Sequence, residues 1–374
     1  MSYADVIGHR SMAFDETRNR AYEAAIQRVV TRDSVVLDLG AGLGIHGLMA
    51  ARAGARRVFL IEPESVVHSA LDVARRNGFG DRIEAFQGRL EDVTLPEKVD
   101  VIISVFTGNL LYSEDLLPSL YLARDRWLKP GGHLIPDRAE LMLAPVAAGK
   151  LHAEEIQVWS EPHRGYDYSS LRGYAGNSML SLRGESTKPT LLARAKVIES
   201  ADFSLASATI IDGSASFDIE KEGACSGLAS WIRIHLGDQW LDCGPEDPPV
   251  HWSPQLLPVD PELMLEAGSH LLTGVHRRRG GDWTWTVESS TAKFRGSTFL
   301  GQPRRLADLQ RLAPQYCAVL SEAGRARLDA MGRFTGEHSN EAIAGHLLLT
   351  YPTQFASHEA ALDLVQRLAQ AASS

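Results

Sequence analysis

The sequence predicts an α/β chain: a parallel sheet covered by helices on both faces, then a β-rich antiparallel domain, then a small helical module. Three observations lead there. Residues 1–140 alternate apolar strand runs with helical patterns. Residues 141–300 carry short β-rich runs separated by Gly, Pro and Asp turns. Residues 301–374 return to helical spacing.

In order, Ser11–Val30 reads as a helix, with Met12, Phe14, Tyr22, Ala25, Ile26 and Val29 near helical spacing. Ser34–Leu39 is an apolar strand, Ile45–Ala53 a helix and Arg57–Ile61 a second strand. Ser65–Asn77 is helical, and Ile83–Phe86 and Val99–Ser104 are further strands. Strands separated by helices of this length imply right-handed βαβ units. Downstream, Ser204–Ile211, Trp231–Leu236, His270–Val275 and Trp283–Glu288 read as strands of a barrel or sandwich. The polar, Gly/Ser-rich run 166–192 reads as an insertion among them. Arg304–Leu312, Glu322–Met331, Asn340–Tyr351 and Ser357–Ala371 are the helices of the last module.

A chain of 374 residues, 44% hydrophobic and 23% charged, is an ordinary globular composition with room for more than one core. No apolar run reaches the roughly 18 residues that cross a bilayer, and MSYADVIGHR lacks a signal-peptide core. A cytoplasmic protein without a membrane partner is expected. Cys225, Cys243 and Cys317 show no Cys-x-x-Cys spacing, so neither a disulfide framework nor a metal site is expected. A net charge of −9 argues against a nucleic-acid partner.

The segment VVLDLGAGLGIHGLMAA, residues 35–51, satisfies two cofactor patterns at once. Gly42, Gly44 and Gly47 fit the dinucleotide pattern G-x-G-x-x-G. Asp38 with Gly40, Gly42 and Gly44 fits the D-x-G-x-G-x-G of S-adenosylmethionine enzymes. A glycine turn between strand and helix serves either ligand, because it brings free N–H groups close to it. The carboxylates decide. Asp38, at the strand end, suits the ammonium of a methionine moiety and repels a diphosphate. Glu62 closes the second strand, where it can take both ribose hydroxyls; NAD needs that too, so it does not discriminate. Glu91 in GRLEDV can accept from the adenine amino group. S-adenosylmethionine is the expected cofactor. Gly47 is read as a small residue on the helix's inner face, and His46 as a helix-face residue.

With these residues placed, the sequence resembles the protein arginine methyltransferase family from residue 1 to about 295. HRSMAFDETRNRAY matches its N-terminal helix through His9, Met12, Asp15, Arg18 and Tyr22. VLDLGAGLG, AGARRVFLIE, GRLEDVTLPEKVDVIIS, YLARDRWLKPGGHLIPDRAEL and PPVHWSP follow in family order. The resemblance implies a Rossmann-like class I methyltransferase domain, then an antiparallel β-barrel with a dimerisation arm at the 166–192 insertion, and hence a homodimer. It implies that Arg18 holds the cofactor carboxylate, that Tyr3 and His9 belong to the cofactor site, and that Met12 packs at the reacting centre. His251 would pair with Asp15 and close the site, with Val250 standing where the family has threonine. Val105, Phe106 and Trp252 would line the acceptor pocket.

One departure lies in the chemistry. The family clamps a guanidinium between two glutamates, because a planar, always-charged cation needs paired carboxylates. Here the second survives as Glu114, and Val105 stands in place of the first. A dry site losing one partner is weakened by about 3–5 kcal/mol. The first reading is therefore a methyltransferase with an altered nitrogen or oxygen acceptor, on a small molecule or peptide, with Glu114 as base or anchor. The alternative keeps the guanidine, with a second carboxylate from Asp115 or a barrel residue. A third reading is a cofactor-binding scaffold without turnover. Ser104, His251 and Asp15 are residue types of a hydrolase triad, but no G-x-S-x-G surrounds Ser104. The tail is read as a helical cap, with a faint resemblance to small winged-helix peptide-binding modules.

Overall fold

The computed structural model describes residues 5–184 and 188–372. Its first strand, β1 (Val35–Leu39), is buried along its whole length, the pattern of a strand covered on both faces. Helix α1 (Arg10–Ala13) and helix α2 (Glu16–Val29) precede it. The single helix expected over Ser11–Val30 is thus broken, because Asp15 caps α2 by accepting from Arg18 N at 3.0 Å. Then come α3 (Ile45–Ala53), β2 (Arg57–Glu62), α4 (Val67–Arg76), β3 (Ile83–Gln87) and β4 (Val99–Ser104). Helix α5 (Leu117–Trp127) and β5 (Leu128–Ile135) complete the domain.

The five strands are parallel in the order β3-β2-β1-β4-β5. After β3 the chain crosses to the far side of β1. The carboxyl ends of β1 and β4 therefore flank the switch point where open α/β sheets bind ligands.

Strand β6 (Arg138–Ala147) opens the antiparallel region. A helical excursion follows, with α6 (Gly149–Glu155) and α7 (Arg172–Ala175). It begins at Gly149, ahead of the insertion expected from residue 166. Next come β7 (Leu180–Ser181), β8 (Thr190–Leu191), β9 (Lys196–Asp202), β10 (Ile211–Asp218) and β11 (Gly223–His235). Then follow β12 (Trp240–Asp242), β13 (Gln255–Leu265), β14 (His270–Arg277), β15 (Thr284–Glu288) and β16 (Lys293–Ser297). One sheet runs β7-β13-β11-β6-β8, with β12 on β11 and β9 on β6; the other runs β10-β14-β15-β16. The strand expected at Ser204–Ile211 is not there. Asp202 accepts from Ser204 N at 2.9 Å and Ser204 Oγ at 2.5 Å, a local turn that ends β9. Trp285 is fully buried and donates to Pro258 O at 2.7 Å, tying the second sheet to the first.

Contacts divide the chain into compact units 5–303 and 304–372. In the second, α8 (Leu306–Arg311) precedes α9 (Glu322–Gly332), α10 (Asn340–Thr350) and α11 (His358–Ala372). The last three enclose Ala330, Ile343, Leu347, Ala361 and Val365. Ser321 and Ser339 cap α9 and α10. Among the described residues no helix is long and apolar enough to cross a membrane.

Candidate active site

The loop after β1 is built on left-handed glycines, Gly40 (φ 71°), Gly42 (φ 53°) and Gly44 (φ 73°). A Cβ on Gly40 would lie 2.4 Å from Phe106 Cε1, so this position excludes any larger residue. Glu62 receives Gly42 N at 3.0 Å and Glu64 N at 3.1 Å on its two oxygens. Each oxygen keeps a second acceptor position. Asp38 is 1% exposed and accepts from Gly47 N at 2.7 Å. Burial pushes its carboxyl up to about 7, the Gly47 N–H opposing and Glu62 adding to the rise. Glu91, exposed at the next strand exit, accepts from Ser119 Oγ at 2.9 Å.

The N-terminal helices close one side. Arg18 is 2% exposed and donates to Met12 O at 2.5 Å and to Asn19 Oδ1 at 2.9 and 3.2 Å. No carboxylate among the described residues pairs with it. Asp15 and Asp38 act on it only at longer range, and a buried guanidinium with no carboxylate in contact is suited to receive an anion. The His9 ring lies against Gly42, where a Cβ would come within 2.8 Å of it. Asp15 also accepts from His251 N at 2.7 Å and His251 Nδ1 at 3.1 Å. Burial works against the Asp15 carboxylate, but these bonds together with Arg18 N–H hold its pKa below the usual value. Burial, helped by the charges of Arg18 and Arg183, lowers the His251 pKa against the pull of Asp15, which favours a neutral imidazole bonded to the carboxylate. Trp252 is 4% exposed, with its ring 4.3 Å from that of His251 and 5.9 Å from the Arg18 guanidinium.

The loop expected to line the acceptor runs from Val105 to Leu116. Val105 and Phe106 are half-buried. The Glu114 carboxylate lies against Gly108, where a Cβ would stand 2.9 Å from Oε1. Its surface is open to solvent, yet protein crowds it enough that desolvation raises its pKa. Asp115 is committed elsewhere: Arg277 grips it with bonds of 2.9 and 2.7 Å. The second carboxylate expected from Asp115 is therefore not offered to an acceptor.

A methyltransferase-domain family model matches residues 36–132. Human protein arginine N-methyltransferase 2 is 29% identical over 315 residues, 77% of this chain and 72% of that protein. Fission yeast (Schizosaccharomyces pombe) protein arginine N-methyltransferase 1 is 38% identical over 167 residues, 44% of this chain and 49% of that protein. Several such relatives are matched over about half of their length. A structure of the Trypanosoma brucei PRMT1 enzyme–prozyme heterotetrameric complex with AdoHcy superposes with a TM-score of 0.72 at 25% identity, over 79% of this chain and 99% of that one. The chain is a PRMT-like class I S-adenosylmethionine-dependent methyltransferase. Arabidopsis thaliana protein arginine methyltransferase 10 shares its fold, with a TM-score of 0.67 at 23% identity over 79% of this chain and 99% of that one.

The methyltransferase's cofactor is S-adenosylmethionine, and its pocket fits that group: a buried unpaired cation at Arg18, a turn at Gly40 with no room for a Cβ, and acceptors at Glu62. The structure sets His9 and Glu62 against Gly42, Asp38 against Gly47, Met12 and Trp252 beside Arg18, and His251 on Asp15. Tyr3 lies outside the described residues. Gly47, read from sequence as a small residue on the helix's inner face, is buried there: a Cβ would stand 2.4 Å from Leu60 Cδ2, and its N–H fixes Asp38. Sequence reasoning also missed Asn109, which accepts from Ser253 N at 3.0 Å, and Arg277. The basic run HRRRGG at 276–281 was the one visible sign of the latter.

Proposed function

We propose that this methyltransferase acts on a guanidino nitrogen of arginine, using Glu114 as the single carboxylate of its acceptor pocket. The observation that carries the reading is Glu114 itself. It is open to solvent on the loop, desolvation by its neighbours raises its pKa, and no cation among the described residues pairs with it, so it is free to take a cation brought from outside. The relatives, named as arginine N-methyltransferases, support that cation being arginine. Taken alone, the acceptor loop favours an altered acceptor, and the relatives reverse that order. The sulfonium of the bound cofactor supplies an electrophilic methyl group, so the site needs alignment and exclusion of water more than a strong base. In this reading Arg18 holds the cofactor carboxylate and Glu62 the ribose, with Asp38 near the ammonium and Glu91 near the adenine. Asp15 and His251 fasten the loop before β13 onto the N-terminal helices, while Met12 and Phe106 exclude water. Glu114 holds and orients the acceptor.

A second reading, an acceptor other than guanidine, is favoured by one observation: Val105 is apolar and Asp115 is bound to Arg277, so no second carboxylate completes the clamp. One experiment separates the two. Wild type, Glu114→Gln and Val105→Glu are given arginine peptides and labelled cofactor, and methylarginine is identified by mass spectrometry. The arginine reading expects transfer by wild type, a loss of about 100-fold in Glu114→Gln, and a comparable gain in Val105→Glu. Transfer to arginine by Val105→Glu alone hands the site to the second reading.

Assembly as a homodimer belongs to the same proposal. It rests on Val158, Tyr166, Tyr168, Leu171 and Tyr174, large apolar side chains exposed on the 149–182 excursion. Free thiols at Cys225, Cys243 and Cys317 suit a reducing cytoplasm.

A further inference from the structure

The acceptor loop buries Leu110, Leu111 and Tyr112 in the core, while the stretch that carries Glu114 is irregular. It lies between β4 and α5, and Leu111 (φ 61°) and Asp115 (φ 55°) sit in the left-handed region that non-glycine residues avoid. Such conformations persist where surrounding structure imposes them. Around residues 112–115 that structure is the turn between β14 and β15. Arg277, at the end of β14, is 5% exposed and lies beneath the Trp283 ring at 5.6 Å. Its Nη1 donates to Tyr112 O at 2.7 Å and to Asp115 Oδ1 at 2.9 Å. Its Nη2 donates to Asp115 Oδ2 at 2.7 Å and reaches Ser113 O at 3.5 Å. Gly280 N completes the grip on Asp115 Oδ2 at 3.1 Å. These contacts fall at residues 112, 113 and 115, on both sides of Glu114.

We propose that Arg277 is a positioning residue for Glu114, gripping the backbone and the Asp115 carboxylate on either side of it and so fixing where the acceptor carboxylate stands. The guanidinium suits the task because its planar fork meets a carboxylate and a carbonyl at set angles, which a lysine ammonium does not. The same grip explains why Asp115 does not serve the acceptor. Its pKa is lowered, first by the Arg277 hydrogen bond, and it stays an ionised half of the latch. The charged groups facing the latch are Arg277 and Arg279 from the turn and Asp115 from the loop; Glu114 takes its own shift from burial alone.

Its importance to the reaction rests on Glu114 being the acceptor carboxylate, but the position of Glu114 can be read without any acceptor. Protein labelled with 13C at the glutamate carboxyl is titrated by NMR with S-adenosylhomocysteine bound. The Glu114 signal is assigned from its disappearance in Glu114→Gln. In wild type Glu114 titrates above the ordinary carboxylate range. In Arg277→Met and Asp115→Asn it falls towards the ordinary carboxylate range, with Arg277→Lys between and the exposed Arg278→Ala unchanged. S-adenosylhomocysteine affinity stays within about twofold, since its contacts lie elsewhere. Transfer to arginine peptides falls by about 10- to 100-fold in kcat/KM, the effect of a misplaced group. If Arg277→Met does not fold, Asp115→Asn carries the test. An unshifted Glu114 titration in folded variants overturns the proposal, as does loss of cofactor affinity in parallel with activity. A shifted titration with no transfer to arginine even in wild type leaves the latch standing and removes the arginine reading.

Discussion

At the cofactor end of the pocket, the polar groups are oriented by nearby backbone. Gly42 N and Glu64 N hold Glu62, Gly47 N holds Asp38, and Met12 O holds Arg18. At the acceptor end, Glu114 stands on an irregular loop held by Arg277, whose partner Asp115 is 162 residues away. The first end is preformed by local turns. The second is held by the antiparallel region, and no cation among the described residues pairs with its carboxylate. In the proposed reading, the cofactor is fixed by chain geometry and the acceptor choice is left to long-range packing, where a few substitutions would retune it.

The sharpest break of that comparison is Arg18→Met. If the guanidinium is there for the ligand, its removal lowers S-adenosylhomocysteine affinity by about 100- to 1,000-fold, the worth of a buried charge pair. The protein without cofactor should lose little stability, because the variant also removes an unpaired buried charge. Calorimetric binding and a melting curve decide it. A large fall in melting temperature with affinity kept would make Arg18 a structural residue and erase the contrast.

The same division explains what was legible in the sequence. Ile45–Ala53 and Val99–Ser104 were bounded by glycines and apolar runs, and both elements appear where those signals lie. Asp38, Glu62 and the glycine loop are fixed by spacing within one βαβ unit, so pattern alone assembles them. Strand β13 is different: it carries Pro258 and Pro261, residues that speak against a strand, and only pairing with β11 makes it one. The break at Asp15 was hidden in a continuous helical pattern. Arg277 left no periodic trace, because its role depends on a loop 160 residues earlier that no local rule places beside it.

Gly47→Ala tests the precision of the cofactor end more gently. The added Cβ would meet Leu60 Cδ2 at 2.4 Å and approach Asp38 Oδ2 at 3.3 Å. Overpacking of this kind costs about 1–3 kcal/mol. A melting temperature several degrees lower, with cofactor affinity falling further than Glu114 chemistry, is expected. A neutral outcome would show that Leu60 moves aside and that the cofactor end is less rigid than its contacts imply.

The smallest expected effect concerns the proton on Asp38. Its carboxyl is raised by burial to about 7 in the folded chain, against about 3.9 when unfolded. The native state therefore binds the proton more tightly, and stability falls as pH rises through the window between those values. Between pH 6 and 7 the loss is about 1 kcal/mol. Asp38→Asn cannot titrate, and its amide oxygen can still accept from Gly47 N, so its melting temperature should vary less over this window than that of wild type. An ammonium brought beside Asp38 by the cofactor would lower its pKa and release the proton. Wild type saturated with S-adenosylhomocysteine should then lose the slope as well, and calorimetry in buffers of different ionisation enthalpy should register the proton. If the slope survives saturation, Asp38 does not face the ammonium, and Arg18 alone anchors the amino-acid end of the cofactor.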